Sequence, residues 1–255
     1  MIVAITAQKG GVGKTTLAAT MAAALTLRGK KVLLVDLDQQ GSLSFVTGAD
    51  MKGKTTLGLL TRESKAAEII QKLPVADIIP ANKSLVSSEA TLRETGGEYR
   101  LREGIAPVRA EYDYIILDCP PALNSLTINA LTAADEVIIP TQADVLSIQG
   151  IAQLYDSYKL VKKYTNKELH IAGVLLTRHS GRAVIKRDLE AALRDKIAGM
   201  IKTKVYTATI REGVAVNEAQ YLQQSIFQYA PRSKVAADYD AFVNEFLQDM
   251  KGRKA

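Results

Sequence analysis

Four stretches of this chain are apolar almost without a break: VLLVD at 32–36, YIILD at 114–118, VIIP at 137–140 and IAGVLLT at 171–177. A strand with one wet face alternates apolar and polar residues, whereas a strand covered on both faces reads as a continuous apolar run. The chain therefore needs a sheet with helices on both sides. Seven strands are expected, at 2–6, 32–36, 76–79, 114–118, 136–140, 171–177 and 204–210. Helical stretches fall between and after them, at 14–28, 57–73 with a break, 85–94, 123–134, 146–164, 183–200 and 235–250. Gly29 is a natural stop for the first helix. Strand–helix alternation predicts an α/β fold with a doubly wound, mostly parallel sheet. No linker interrupts the 255 residues, so a single domain is expected over 1–255. ETGGEYR at 94–100 reads as a loop.

Ligands of such folds sit at the carboxyl ends of strands, and the first strand runs into AQKGGVGKTT at 7–16. Strand, glycine-rich turn and helix in that order are the setting of a phosphate-binding loop. Gly10, Gly11 and Gly13, with Val12 between them, let backbone N–H groups converge on phosphate oxygens. The start of the following helix adds partial positive charge. Lys14 is placed for the β- and γ-phosphates, the Thr15 hydroxyl for Mg²⁺ and Thr16 for the α-phosphate. The usual pattern wants a glycine at position 8, which is glutamine here, and a second lysine, Lys9, stands beside it. Two strand tips carry carboxylates, Asp36 with Asp38 just beyond it, and Asp118. Such carboxylates commonly support Mg²⁺ beside a phosphate loop.

KGGVGKTT, VLLVDLDQQGS, DCPPALNSLTINAL, ADEVIIPTQAD and APRSKVAADYDAFVNEF together resemble the deviant Walker ATPases of the ParA/MinD superfamily, in particular the ParA/Soj partition proteins. The resemblance runs through most of the chain and implies a P-loop NTPase fold with ATP and Mg²⁺ as cofactors. It also gives Lys9 a role, as the signature lysine that crosses an ATP-sandwiched homodimer to the other subunit's nucleotide. A second cation at the β–γ bridge stabilises charge building on the leaving group. By the same resemblance Lys9, Lys14 and Asp38 are catalytic, Asp38 orienting the attacking water. Thr15, Asp36 and Asp118 serve the metal. Many relatives carry a proline near the adenine where TIREGVAVNEA places Arg211, so adenine specificity rests on the resemblance alone.

Charge is divided unevenly. Residues 1–150 hold 15 Lys and Arg against 16 Asp and Glu, whereas 151–255 hold 18 against 11. A basic face suits nucleic acid or an anionic membrane, and equally an ordinary solvated surface. The resemblance implies non-specific DNA binding by the ATP-bound dimer, with Arg182 at the start of a helix as the best-matched contact. Arg178, Lys186, Arg187, Lys202 and Lys204 lie in the same basic stretch. A ParB-like centromere-binding partner that stimulates a weak intrinsic ATPase is implied as well. An N-terminal helix-turn-helix extension is not expected, because the loop begins at residue 8.

The single cysteine, Cys119, excludes an internal disulfide framework and leaves too few thiols for a nitrogenase-type reductase, which needs two cluster cysteines per subunit. No run approaches the roughly 20 apolar residues of a membrane span, and the N-terminus lacks the basic start of a signal peptide. A cytoplasmic, nucleoid-associated location is expected. The alternative is a MinD-like membrane-associated positioning ATPase, whose relatives end in a lipid-inserting amphipathic helix. Phe242, Val243, Phe246, Leu247 and Met250 make an apolar stripe at helical spacing, which docking against the domain explains more simply.

Overall fold

A computed structural model describes residues 1–179 and 184–253, with the side chains of 145, 146, 184–190, 192 and 193 outside the description. The strands are β1 (Ile2–Ile5), β2 (Val32–Asp36), β3 (Asp77–Ile79), β4 (Tyr114–Asp118), β5 (Glu136–Thr141), β6 (His170–His179) and β7 (Val205–Arg211). They form one sheet in the order β3-β2-β4-β1-β5-β6-β7, and every ladder in it is parallel. The helices of eight residues or more are α1 (Lys14–Leu27), α2 (Ser125–Ala133), α3 (Val145–Tyr164), α4 (Val184–Ile201), α5 (Val214–Tyr221) and α6 (Lys234–Gly252).

The pleat sorts each strand between two cores. Ile2, Ala4, Leu33, Val35, Ile115 and Leu117 pack with α2, α3 and α4 on one face. Val3, Ile5, Val32, Leu34, Tyr114 and Ile116 pack with α1, α5 and α6 on the other. Both sets are buried, which is why the strands show no polar alternation. β1 sits between β4 and β5, where the order of strands reverses. The crevice beyond its carboxyl end is the natural ligand position in a sheet of this topology.

Helix α6 closes the second core. Phe242, Val243, Phe246 and Met250 are buried and Leu247 is half-buried against them. Each large apolar side chain taken from water is worth roughly 1.5–3 kcal/mol, so these residues hold the helix firmly on the sheet. Its polar edge is fastened by the ion pairs Arg28–Asp240, Arg211–Asp238, Lys204 to both Glu245 and Asp249, and Arg253–Glu136. Burial pushes the Tyr206 phenol up beneath it, and Phe242 meets that ring edge-on at 4.9 Å.

Three expected elements differ. The helix expected over 57–73 is two short helices, Thr56–Leu60 and Ala66–Ile69. Arg62 between them adopts a left-handed backbone, and Gln71 leaves the helical path to pair with Ile78. The 85–94 stretch opens as a 3₁₀ turn, Lys83–Ser87, before the helix Ser88–Leu92. The 94–100 loop contains a 3₁₀ turn, Gly97–Tyr99, and ends where the helix Arg100–Ile105 begins. Helix α5 and the short helices Ser42–Thr47 and Ile226–Tyr229 are additional to those expected.

Candidate nucleotide site

The loop after β1 is shaped by its glycines. Gly11 and Gly13 have φ of 73° and 87°, a region where a β-carbon is strained. Gly13 is the N-cap of α1, and neither a side-chain cap nor an acidic residue occupies that first turn. The leading N–H groups and the positive end of the helix are therefore available to an anion. The loop is braced from behind by the Thr177 hydroxyl, which donates to the Val12 carbonyl at 2.7 Å. In front of it opens a cleft of about 660 Å³, lined by Gly10–Thr16, Asp38, Arg178, Arg211, Glu212 and α5 among others.

Lys14 is almost fully buried, and burial lowers the pKa of its ammonium, opposed by Asp118. Its Nζ lies 3.5 Å from the Lys9 carbonyl. Thr15 Oγ1 donates to Asp118 Oδ2 at 2.7 Å, while Asp118 Oδ1 is buried without a hydrogen-bond partner. Burial first, and then the Asp36 charge, raise the Asp118 carboxyl. These features fit a hard divalent cation such as Mg²⁺: hydroxyl and carboxylate oxygens, one of them orphaned, beside a seat for phosphates.

Asp36 faces Asp118 in the β2–β4 register and is tied to its own segment. Its oxygens accept from Ser44 N at 2.8 Å, Ser44 Oγ at 2.7 Å and Asp38 N at 3.0 Å. Burial pushes it up to about 6 despite these bonds. The geometry makes Asp36 the anchor of the turn that carries Asp38, and Asp38 itself borders the cleft. Gly41 in this turn has φ of 62°, and a β-carbon there would meet the Ala81 carbonyl oxygen at 2.9 Å.

Lys9 is turned away from the loop's own cleft. Its Nζ lies 2.6 Å from Asp144 Oδ2 and 3.1 Å from Gln142 Oε1, both in the connection between β5 and α3. Asp144 also N-caps α3 by accepting from Ser147 N.

Of the basic residues, Arg182 lies outside the described residues, and only the backbone of Lys186 and Arg187, in the first turns of α4, is described. Lys202 is exposed just after α4. Lys204 is held by Glu245 and Asp249, with its ammonium 4.4 Å from the centre of the Tyr206 ring. Arg178 bends back to the phosphate loop. Sequence reasoning missed Thr177, Ser44 and the α5 residue Gln220, whose amide donates to Thr16 Oγ1 at 2.9 Å. Only folding brings Thr177 and Gln220 to the loop and Ser44 to Asp36. Arg211, expected by the base, borders the cleft and is clamped in two-point contact by Asp238.

A family model described as an AAA domain matches residues 1–171. The sporulation initiation inhibitor protein Soj of Bacillus subtilis is 40% identical over 93% of this chain and 94% of its own length. The chromosome partitioning protein ParA of Myxococcus xanthus is 35% identical over 97% and 88%. The chain belongs to the ParA/Soj family of ATPases. Solved structures agree with that membership. A cobyrinic acid a,c-diamide synthase from Mycobacterium smegmatis, with bound ADP and magnesium, superposes on this ParA/Soj-family chain with a TM-score of 0.85 at 32% identity, covering 98% of this chain and 95% of that one. The septum site-determining protein MinD of Pyrococcus horikoshii, complexed with Mg-ADP, does so with a TM-score of 0.78 at 27% identity over 100% and 98%. This ParA/Soj-family chain therefore has the P-loop NTPase fold of the ParA/MinD superfamily. Among its described helices none is long and apolar enough to cross a membrane.

Proposed function

We propose that the chain is an ATP-dependent dimerising switch for chromosome or plasmid partition. The observation that carries this reading is Lys9. It stands in the phosphate loop, yet its ammonium leaves that loop's cleft and rests on Asp144 at the β5–α3 connection. A lysine so directed is of use to a nucleotide held by a second copy.

The work divides among named groups. The N–H groups at residues 10–16 and the Lys14 ammonium bind the phosphates of ATP. Thr15 and Asp118 hold Mg²⁺, with Asp36 supporting the turn behind them, and the metal neutralises phosphate charge when bound. Asp38 orients the attacking water. Lys9 of the second copy stabilises charge on the leaving oxygen, which makes hydrolysis conditional on pairing. The paired copies bind DNA through its phosphates without sequence preference, with Arg182, Lys186, Arg187 and Lys202 as the candidate contacts, and pairing raises affinity through avidity. Hydrolysis, slow by itself and stimulated by a ParB-like partner, releases the DNA. A gel shift with arbitrary duplex DNA tests this. ATP with Mg²⁺ should bind DNA far better than ADP at moderate salt, and equal binding would defeat the DNA role.

A MinD-like membrane role would need an apolar helix free to enter lipid, whereas the α6 stripe lies in the core, and this favours the partition reading.

A further inference from the structure

Arg178 belongs by composition to the basic stretch assigned to DNA, yet its side chain lies at the nucleotide cleft. Nη1 donates to the Gly11 carbonyl at 3.2 Å and Nη2 pairs with Glu212 at 2.8 Å. The guanidinium thus bridges the phosphate loop to the connection between β7 and α5, the two rims between which a nucleotide must enter. Its backbone has a φ of 51°. That left-handed conformation is costly for a residue with a side chain and persists where the surroundings enforce it. Here it coincides with a register shift in the β6–β7 ladder between Leu176 and His179.

The Glu212 pair is exposed on both sides, and exposed pairs contribute little to stability. Guanidinium to phosphate is a charge-assisted, often two-point contact and is much the stronger. We propose that Arg178 is a nucleotide-contacting residue, its guanidinium exchanging Glu212 for the phosphate chain of the bound nucleotide and so strapping the two rims together. This rests on the nucleotide-binding reading above and adds to it a cation from outside the loop motif.

Calorimetric titration of the full chain with ADP, and with a non-hydrolysable ATP analogue, each with Mg²⁺, tests the proposal in wild type, Arg178→Ala, Arg178→Lys and Glu212→Gln. Arg178→Ala should lose about ten- to a hundred-fold in affinity, the range for a hydrogen bond to a charged group. Arg178→Lys should recover part of the loss. Glu212→Gln should bind as tightly as wild type or more tightly, because it frees the guanidinium. Wild-type affinity in Arg178→Ala overturns the proposal, as does loss of DNA binding with nucleotide affinity intact. Equal losses in Arg178→Ala and Glu212→Gln also overturn it, since they would mark the pair as a rim brace only. If Arg178→Ala does not fold, the lysine and glutamine variants decide. Failure of wild type to bind nucleotide would instead remove the underlying functional reading.

Discussion

The Lys9 ammonium and the Asp144 carboxylate form a 2.6 Å ion pair that spans 135 positions of sequence. Burial works against the Asp144 carboxylate, but the Lys9 ammonium and the Ser147 N–H outweigh it and hold its pKa below the usual range. The pair holds Lys9 outside its own cleft, and in the proposed switch closing a dimer on nucleotide would part it. A partly exposed pair of this kind contributes modestly, on the order of 1 kcal/mol or less. Asp144→Asn should therefore lower the nucleotide concentration for half-maximal dimerisation by about two- to five-fold, read by sedimentation velocity. Lys9→Ala should abolish stimulated hydrolysis while leaving ADP binding intact.

Asp118 should show opposite effects on stability and binding. Its buried carboxylate has one oxygen without a hydrogen-bond partner and lies beside Asp36. Asp118→Asn removes a desolvated charge, so the nucleotide-free protein should melt a few degrees higher at neutral pH. At the same time, Mg²⁺ should no longer enhance ATP affinity. Thermal melts paired with titrations in Mg²⁺ and in chelator check both signs.

Glu245 gives a pH signature for the docking of α6. Burial opposes its ionisation, but the N–H groups of Ala208 and Thr207 and the Lys204 ammonium outweigh it and depress its pKa. A depressed carboxylate stabilises the fold above its unfolded pKa, and that contribution disappears as pH falls through the folded value. Glu245→Gln should cost about 1–2 kcal/mol at pH 7, with the difference from wild type shrinking below about pH 4.5. Urea unfolding across this range measures it.

Lys204 and Arg182 should separate as variants. Lys204 is held by two α6 carboxylates, so Lys204→Ala should lower thermal stability and leave DNA affinity nearly unchanged. Arg182→Ala should weaken DNA binding uniformly across sequences and flatten the salt dependence by about one phosphate contact. Fluorescence anisotropy with arbitrary duplexes at several salt concentrations distinguishes them.

Strands and long helices were legible because burial on both faces leaves continuous apolar runs, and VLLVD and YIILD sit within a residue of their expected ends. The loop at 7–16 was legible because its spacing and its glycines reflect one local backbone path. What stayed hidden depends on contacts between elements. The 57–73 segment looks helical, but Gln71 leaves the helix to bridge to Ile78 of the nearby strand β3. Arg178 reads as one more basic residue until β6 brings it to Gly11. Arg211 reads as an unpartnered basic residue until α6 supplies Asp238. The helix Ile226–Tyr229 did carry a local signal, the capping box of Ser225 and Gln228, in a stretch too short to show periodicity.

The most direct test of the switch is the mass in solution of the full chain saturated with a non-hydrolysable ATP analogue and Mg²⁺, compared with ADP and with no nucleotide. A dimer with the analogue alone is the expected result. A monomer in all three conditions would contradict the exchange of Lys9 between two copies.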